Sequence, residues 1–297
     1  MIAWEDLTPA VRARITALLP KHPQYATLIH TQAATSEESP ILDFMTAATW
    51  ADQVHAETPA NRPYNHPEWH TTVFPFITGS LPADKRPVAW SDEWKSGDVP
   101  DNILRALKKI TVDIQDPKAA DDQKAVALTW LEHLIGDILQ PLHTTSWYSE
   151  EHPDGEGDKR GNYTYINTGS SKVSLHSYWD GGLPQYANLE ASRKLVAQLK
   201  QEFPRSGFVD QLKVTDFKRW ALEGHELCVS LVYLNGQIPH GVTTKDTIPA
   251  VSKAYQDEAG VLRRKLVTLA GYRLADQLNR LFAADPPLPE KPADKVP

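Results

Sequence analysis

The chain has 297 residues, 41% of them hydrophobic, which is enough for one large domain or two small ones with a sizeable core. Its formal net charge of −7 excludes a protein that grips duplex phosphates through a broad basic surface, so any contact with nucleic acid must be local or helped by bound cations. The single cysteine, Cys228, excludes an intrachain disulfide, and no apolar run is long enough to span a bilayer. The opening residues also lack the pattern of a signal peptide.

Helix signals begin near the N-terminus. The pair Thr-Pro at 8–9 predicts a helix that runs to Pro20. The pair Ser-Pro at 39–40 repeats the signal, and an apolar stripe follows at helical spacing, made of Ile41, Phe44, Met45 and Ala48. The next position on that stripe is Asp52. The pattern therefore predicts a carboxylate on the buried face of this helix.

A long helix is predicted from about Asp121 through the segment KAVALTWLEHLIGDILQ. One continuous face of it carries Val126, Trp130, His133 and Asp137. Because residues four apart on a helix point the same way, His133 and Asp137 can converge on one ion. Pro141 ends the helix, which lets His143 fold back beside that pair.

The rest of the chain predicts more helices and one hairpin. Helices are expected at about 185–203, 215–234 and 248–282. The segment YTYINTGSSKVSL predicts a β-hairpin that turns at Gly169. The Pro-rich, charged segment 284–297 predicts a disordered tail. Together the signals predict an all-α fold, in which residues 1–283 form one multi-helix domain with a small β-hairpin.

Seven side chains form a candidate metal-ligand set. The segment SLHSYWDGG repeats the His-x-x-x-Asp spacing at His176 and Asp180. The full set is Asp52, His70, His133, Asp137, His143, His176 and Asp180. Imidazole and carboxylate are ligands expected for zinc, and three buried carboxylates without cations would be very costly. A single His-x-x-x-Asp pair in a helix is usually a surface hydrogen bond or a capped core histidine. Two such pairs, each among apolar neighbours, favour a metal site.

The remaining candidates are given structural interpretations. Six other histidines lack the paired pattern and are interpreted as solvated or structural: His22, His30, His66, His152, His225 and His240. Cys228 lies in an apolar helix and is interpreted as a small core residue. Trp130 and Trp179, which adjoin the candidate ligands, are interpreted as packing residues.

Several motifs, in order along the chain, resemble the zinc-dependent single-strand nucleases of the S1/P1 type, which share a fold with bacterial zinc phospholipase C. The matching stretches are ATWADQVH, EWH, LEHLIGDILQPLHT, RGNYTYIN, NTGSSKVSLHSYWD, RWALEGHELCVSLVY and LAGYRLADQLN. The resemblance implies the all-α fold of that superfamily and hydrolysis of phosphodiester bonds in single-stranded DNA or RNA to 5′-phosphate products. It also implies a secreted or periplasmic protein.

The resemblance assigns two complete zinc sites. The first consists of Asp52, His70, His133 and a bridging Asp137, and the second consists of His143, His176 and Asp180. Zinc in the family lowers the pKa of a shared water and clamps the phosphate oxygens. Asp52 would be both a ligand and the group that orients this water, so Asp52 and Asp137 are expected to be catalytic.

The chain departs from the family at three places near the site. Most members have an arginine where this chain has His55, which could stabilise a phosphate only when protonated. The aromatic and aspartate that stack on and read a base correspond here to Thr71 and Val73, so base preference is expected to differ. Asn162, in the segment RGNYTYIN, is the third substrate-binding candidate.

Family members begin with Trp-Gly and a histidine a few residues later, and the terminal amine and that histidine hold a third zinc. This chain opens with MIAWEDLTPAVRARI, which resembles the family from the end of that first helix onward, so of the third site it keeps only the shared carboxylate of Asp137. We therefore expect the chain as written to hold two zinc ions firmly and to cleave poorly or not at all. Two alternatives stay open: phospholipase C chemistry on the same fold, and a metal-binding homologue with impaired catalysis. No protein partner is inferred.

Overall fold

The structure is a computed structural model that describes residues 1–31, 37–55, 58–81, 85, 87, 101–152, 155–181 and 188–283. The predicted tail over 284–297 and the first residues of the helix predicted at 185–203 lie outside this part of the chain.

Helices supply nearly all of the regular structure, so the all-α fold class is confirmed. In the N-terminal half they are α1 (Ile2–Asp6), α2 (Pro9–Leu18), α3 (Ser39–Ala47), α4 (Trp50–Gln53), α5 (Ile103–Gln115) and α6 (Asp121–Asp137). In the C-terminal half they are α7 (Leu175–Asp180), α8 (Leu189–Glu202), α9 (Val209–Lys213), α10 (Phe217–Leu227) and α11 (Lys253–Ala283). Within the described residues, no helix is both long and apolar enough to cross a membrane.

Capping residues explain where two of these helices begin. The Thr8 hydroxyl accepts a hydrogen bond from the Val11 amide at 3.3 Å, as the Thr-Pro signal predicts. Helix α5 was not predicted, although Asn102 caps it by accepting from the amides of Leu104 and Arg105 at 2.9 and 3.2 Å. Its apolar face packs against α6 and consists of Ile103, Ala106, Leu107, Ile110 and Ile114.

Helix α6 forms the centre of the core. It contacts α2, α4, α5 and α11, and its largest buried side chain, Trp130, packs against Trp50 and Trp69 with ring centroids 5.9 and 5.0 Å apart. Burial of each large apolar side chain contributes roughly 1.5–3 kcal/mol, so α6 is held firmly on several sides. The helix ends at Asp137, three residues before the predicted end, and Gln140 is extended (φ −79°, ψ 116°) because it precedes Pro141.

Two small sheets complete the fold. The predicted hairpin is confirmed: β3 (Tyr165–Asn167) pairs antiparallel with β4 (Lys172–Ser174), and Gly169 in the turn has φ +90°. A second sheet, which the sequence analysis missed, pairs β1 (Phe74–Ile77) in parallel with β2 (Thr145–Tyr148). Just before this sheet, the Thr72 amide donates to the His143 carbonyl at 2.9 Å. The parallel pair therefore brings the segments that carry His70 and His143 together.

Other predicted helix boundaries were partly wrong. The stripe expected to reach Asp52 on one helix is broken, because α3 ends at Ala47 and Asp52 lies on the separate helix α4. The helix predicted at 215–234 is regular only to Leu227 and continues as a π-helical turn over Cys228–Val232. Helix α11 starts at Lys253, five residues later than expected. Cys228 is fully buried, as predicted.

Candidate metal centre

One group of side chains converges where α4, α6 and the turn at Pro67–His70 meet; we call it the first cluster. It consists of Asp52, His70 and His133, whose ligand atoms lie within 4.8 Å of one another. The Oδ1 atom of Asp52 is 3.4 Å from Nε2 of His133 and 3.9 Å from Nδ1 of His70. The two ring nitrogens are themselves 3.0 Å apart. All three groups thus point a lone pair or a charge at one small volume.

A second cluster lies between the turn at Pro141–His143 and α7. It consists of His143, His176 and Asp180, again within 4.8 Å of one another. The two imidazole rings are nearly parallel, with an interplanar angle of 7° and centroids 5.2 Å apart. The Asp180 carboxylate faces both rings, with Oδ1 3.7 Å from Nε2 of His143 and Oδ2 3.3 Å from Nε2 of His176.

Asp137 lies between the two clusters. Its Oδ2 atom is 2.9 Å from Nδ1 of His70 and 3.1 Å from Nε2 of His133, so it completes the first cluster. Its other oxygen, Oδ1, lies 3.5 Å from Nδ1 of His143, the ring nitrogen that also lies 3.1 Å from the His70 carbonyl. The carboxylate has one oxygen on each side because Asp137 is the last residue of α6, one turn after His133 and just before the turn that carries His143.

Backbone carbonyls orient three of the four histidines. Nδ1 of His133 lies 2.8 Å from the Ala48 carbonyl, Nδ1 of His143 lies 3.1 Å from the His70 carbonyl, and Nδ1 of His176 lies 2.8 Å from the Arg160 carbonyl. A carbonyl only accepts, so each Nδ1 is the donor and each Nε2 presents its lone pair to the cluster. Metal-binding histidines almost always carry such a partner on the second nitrogen.

Charges within the clusters perturb several pKa values. Burial opposes the protonated form of His133, but the carboxylates of Asp137 and Asp52 outweigh it and raise its pKa to about 9. The pKa of His143 is also raised, against burial, chiefly by the charge of Asp137. The pKa of Asp137 is lowered, although burial opposes this, because His143 and His133 favour its charged form. Without a metal, His133 and His143 therefore favour their protonated forms and Asp137 favours its ionised form.

The donor set and its spacing fit zinc. A tetrahedral zinc ion with bonds of about 2.0–2.1 Å separates its ligand atoms by about 3.3 Å. The separations that involve Asp52, His70, His133 and Asp137 lie between 2.9 and 3.9 Å, and Asp180 lies 3.7 and 3.3 Å from Nε2 of His143 and His176. The two clusters are therefore of a suitable size and chemistry for such an ion. The expectation that all three carboxylates are buried was wrong, because the side chains of Asp52 and Asp180 are 65% and 47% exposed, whereas Asp137 is 14% exposed.

The exposed carboxylates face a cavity of about 690 Å³. Five candidate ligands line it, namely Asp52, Asp137, His143, His176 and Asp180. The opposite wall is formed by α11, through Arg263, Leu266, Val267 and Ala270. An extended molecule bound in this cavity can therefore contact Asp52 and Asp137 of the first cluster together with the second cluster.

The predicted catalytic and substrate-binding residues lie around the clusters. The exposed ring of His55 is 4.7 Å from the His70 ring, and its Nδ1 is 3.3 Å from Oδ1 of Asn65. Thr71 follows His70 directly, and Thr71 and Val73 are half-buried, leading into β1. The side-chain amide of Asn162 donates to the Lys159 carbonyl at 2.8 Å, so in this structure it braces its own loop.

Two residues near the second cluster were missed by the sequence analysis. Gln140 donates from Nε2 to Oδ1 of Asp180 at 2.8 Å, and Arg263 lies on α11 beside α7. Gln140 stands between two ligands in the motif GDILQPLH, which could have identified it. Nothing in the spacing of α11 indicates that Arg263 reaches the site.

Comparisons with known proteins identify one family. The family profile described as S1/P1 Nuclease matches residues 1–283. Nuclease P1 of Penicillium citrinum is 24% identical over 197 residues, which cover 61% of this chain and 67% of that protein. Endonuclease 5 of Arabidopsis thaliana is 30% identical over 174 residues, covering 54% of this chain and 53% of that protein. Nuclease S1 of Aspergillus oryzae is 27% identical over 176 residues, covering 54% and 55%.

Proposed function

This chain belongs to the S1/P1 nuclease family, and from that premise we propose that it is a zinc-dependent endonuclease that hydrolyses phosphodiester bonds of single-stranded DNA or RNA. The products would carry a 5′-phosphate on one fragment and a 3′-hydroxyl on the other. We further propose that residues 1–283 form the nuclease domain and that the protein acts outside the cytoplasm.

The observation that carries this proposal is the convergence of two neighbouring clusters of metal-type ligands on one open cavity. Asp137 completes the first cluster through Oδ2, which faces His70 and His133, and the second cluster begins in the turn that follows α6. Two neighbouring sites of this kind suit cations that act on the same phosphate. A purely structural ion pair would not need two further exposed carboxylates at the rim of an open cavity.

Each residue then has a defined role. Zinc, when bound, lowers the pKa of a water and stabilises charge that develops on the phosphate. Asp52 reaches the cavity with a largely exposed side chain, so its free oxygen orients the attacking water. Gln140 holds Asp180 towards the second cluster by a hydrogen bond. His55 lies beside His70, where in its protonated form it would contribute positive charge.

The test is a turnover assay with four substrates. Zinc-loaded protein is incubated with single-stranded DNA, single-stranded RNA of the same sequence, the matching DNA duplex and phosphatidylcholine vesicles. We expect slow cleavage of the single strands, since only two complete zinc sites are expected, and a 5′-phosphate on the products. Release of phosphocholine with intact nucleic acid would instead support phospholipase C chemistry, and no turnover at full metal content would support an impaired homologue.

A matched pair of variants links the activity to the site. The Asp137→Asn substitution removes the shared charge and is expected to abolish hydrolysis and loosen zinc. Asp113→Asn is the control, since Asp113 lies on α5 and pairs with Lys109 on the surface. Full activity in the Asp137 variant would contradict the proposal.

A further inference from the structure

The cavity over the two clusters has one basic side chain among its described lining residues, Arg263. Four residues of α11 line the cavity at helical spacing, namely Arg263, Leu266, Val267 and Ala270. Three of them are apolar. Arg263 therefore contributes positive charge to a cavity whose other ionisable lining groups are three carboxylates and two imidazoles.

The guanidinium of Arg263 is held in a fixed place by α7. Its Nη1 atom donates to the carbonyls of Tyr178 and Gly181, the latter at 2.9 Å. Its centre lies 4.6 Å from the centroid of the Tyr178 ring, a cation–π contact. Because Gly181 directly follows the ligand Asp180, these contacts keep the guanidinium beside the second cluster.

This positive charge is not neutralised by an acidic side chain. Throughout the described ranges, Arg263 makes no ion pair with a carboxylate, and its Nε atom is buried without a hydrogen-bond partner. A guanidinium has five donors, and here Nη1 makes the hydrogen bonds. The next residue, Arg264, is different, because it makes two hydrogen bonds to the Glu202 carboxylate at 2.8 and 3.1 Å.

We propose that Arg263 binds a phosphate of single-stranded nucleic acid in this cavity. The proposal rests on the proposed nuclease function. Because Nη1 is engaged by the two carbonyls and Nε is buried, Nη2 is the nitrogen that would contact the phosphate, and the anchoring to α7 fixes it before substrate arrives. The carbonyl contacts alone would make Arg263 a positioning residue for α7, so the test must separate charge from position.

The test measures binding and not turnover. Zinc-loaded protein is titrated with a labelled single-stranded phosphorothioate DNA, which is hydrolysed slowly, at several salt concentrations. Loss of one phosphate contact reduces the slope of log K against log salt by about 0.7 for a single strand. For Arg263→Gln we expect this reduction and a loss of affinity of about 10- to 100-fold. Arg264→Gln is the matched control and should bind as the wild type does.

Zinc content and melting temperature are measured on every variant. An Arg263→Gln protein that holds its zinc and binds with the wild-type slope would overturn the proposal. If that variant loses zinc, Arg263→Lys and Arg263→Met are compared at full zinc content: a slope that is reduced in the methionine variant and kept in the lysine variant supports the proposal, and equal slopes overturn it. Failure of the wild type to bind any single strand would overturn the proposed nuclease function as well. This outcome differs from a wild type that binds and an Arg263 variant that binds with the same slope, which would overturn only the role of Arg263.

Discussion

Zinc should contribute a large part of the stability of this protein, because its candidate ligands come from distant parts of the chain. They lie on α4, on α6, on α7 and in the turns that end at His70 and His143. A ligand that binds the folded state at 1,000 times its Kd stabilises it by about 4.1 kcal/mol, so two sites contribute about 8 kcal/mol. With an unfolding entropy of about 2.1 cal/mol/K per residue over the matched 283 residues, this corresponds to about 14 °C in Tm.

The assay is calorimetry of the protein before and after removal of zinc by a chelator, with metal content measured in both samples. The variant His176→Ala retains the first cluster and loses the second, so its zinc-dependent shift should be about half of the wild-type value. An unchanged Tm after verified zinc removal would refute the reasoning. The same conclusion would follow if the His176 variant showed the full shift.

Three further predictions follow from individual contacts. Gln140→Ala removes the hydrogen bond to Asp180, so zinc affinity at the second cluster should fall about 10- to 100-fold in a chelator competition, and unchanged affinity would contradict that role. Burial lowers the pKa of His22 to about 4, so the unfolded chain binds a proton there first and stability is lost as the pH falls from about 6.5 to 4. Over that pH window, the free energy of unfolding measured by urea titration should fall by up to about 3 kcal/mol more in the metal-free wild type than in metal-free His22→Gln. An equal fall in both proteins would count against this role of His22. His55→Arg should raise turnover of single-stranded DNA about tenfold, because it adds a permanent charge beside His70; a slower variant would speak against a phosphate at this position.

Much of the candidate site could be predicted because five of the seven candidate ligands lie on regular helices. The spacing of His133 and Asp137 fixes their common face, and the same holds for His176 and Asp180 on α7. Helix α6 ends at Asp137, before Pro141, but the turn that starts at Pro141 presents His143 as predicted. These features depend on local geometry, which the order of residues largely determines.

Features that depend on contacts between distant segments could not be predicted. The break between α3 and α4 leaves the Ala48 carbonyl to accept from His133, a contact between residues 85 positions apart. The parallel pairing of β1 with β2 joins two short strands, one of which contains Pro75, and neither shows an alternating pattern. Arg263 reaches the second cluster only because α11 packs beside α7, and no spacing rule within α11 signals that contact.

The central claim is that the two clusters are metal sites. The most direct measurement is anomalous diffraction at the zinc edge from crystals of the zinc-loaded protein. We expect one peak about 2.0–2.2 Å from Oδ1 of Asp52, Nδ1 of His70, Nε2 of His133 and Oδ2 of Asp137, and a second peak among His143, His176 and Asp180. Zinc peaks confined to other surfaces, with both clusters lacking anomalous density, would contradict the claim.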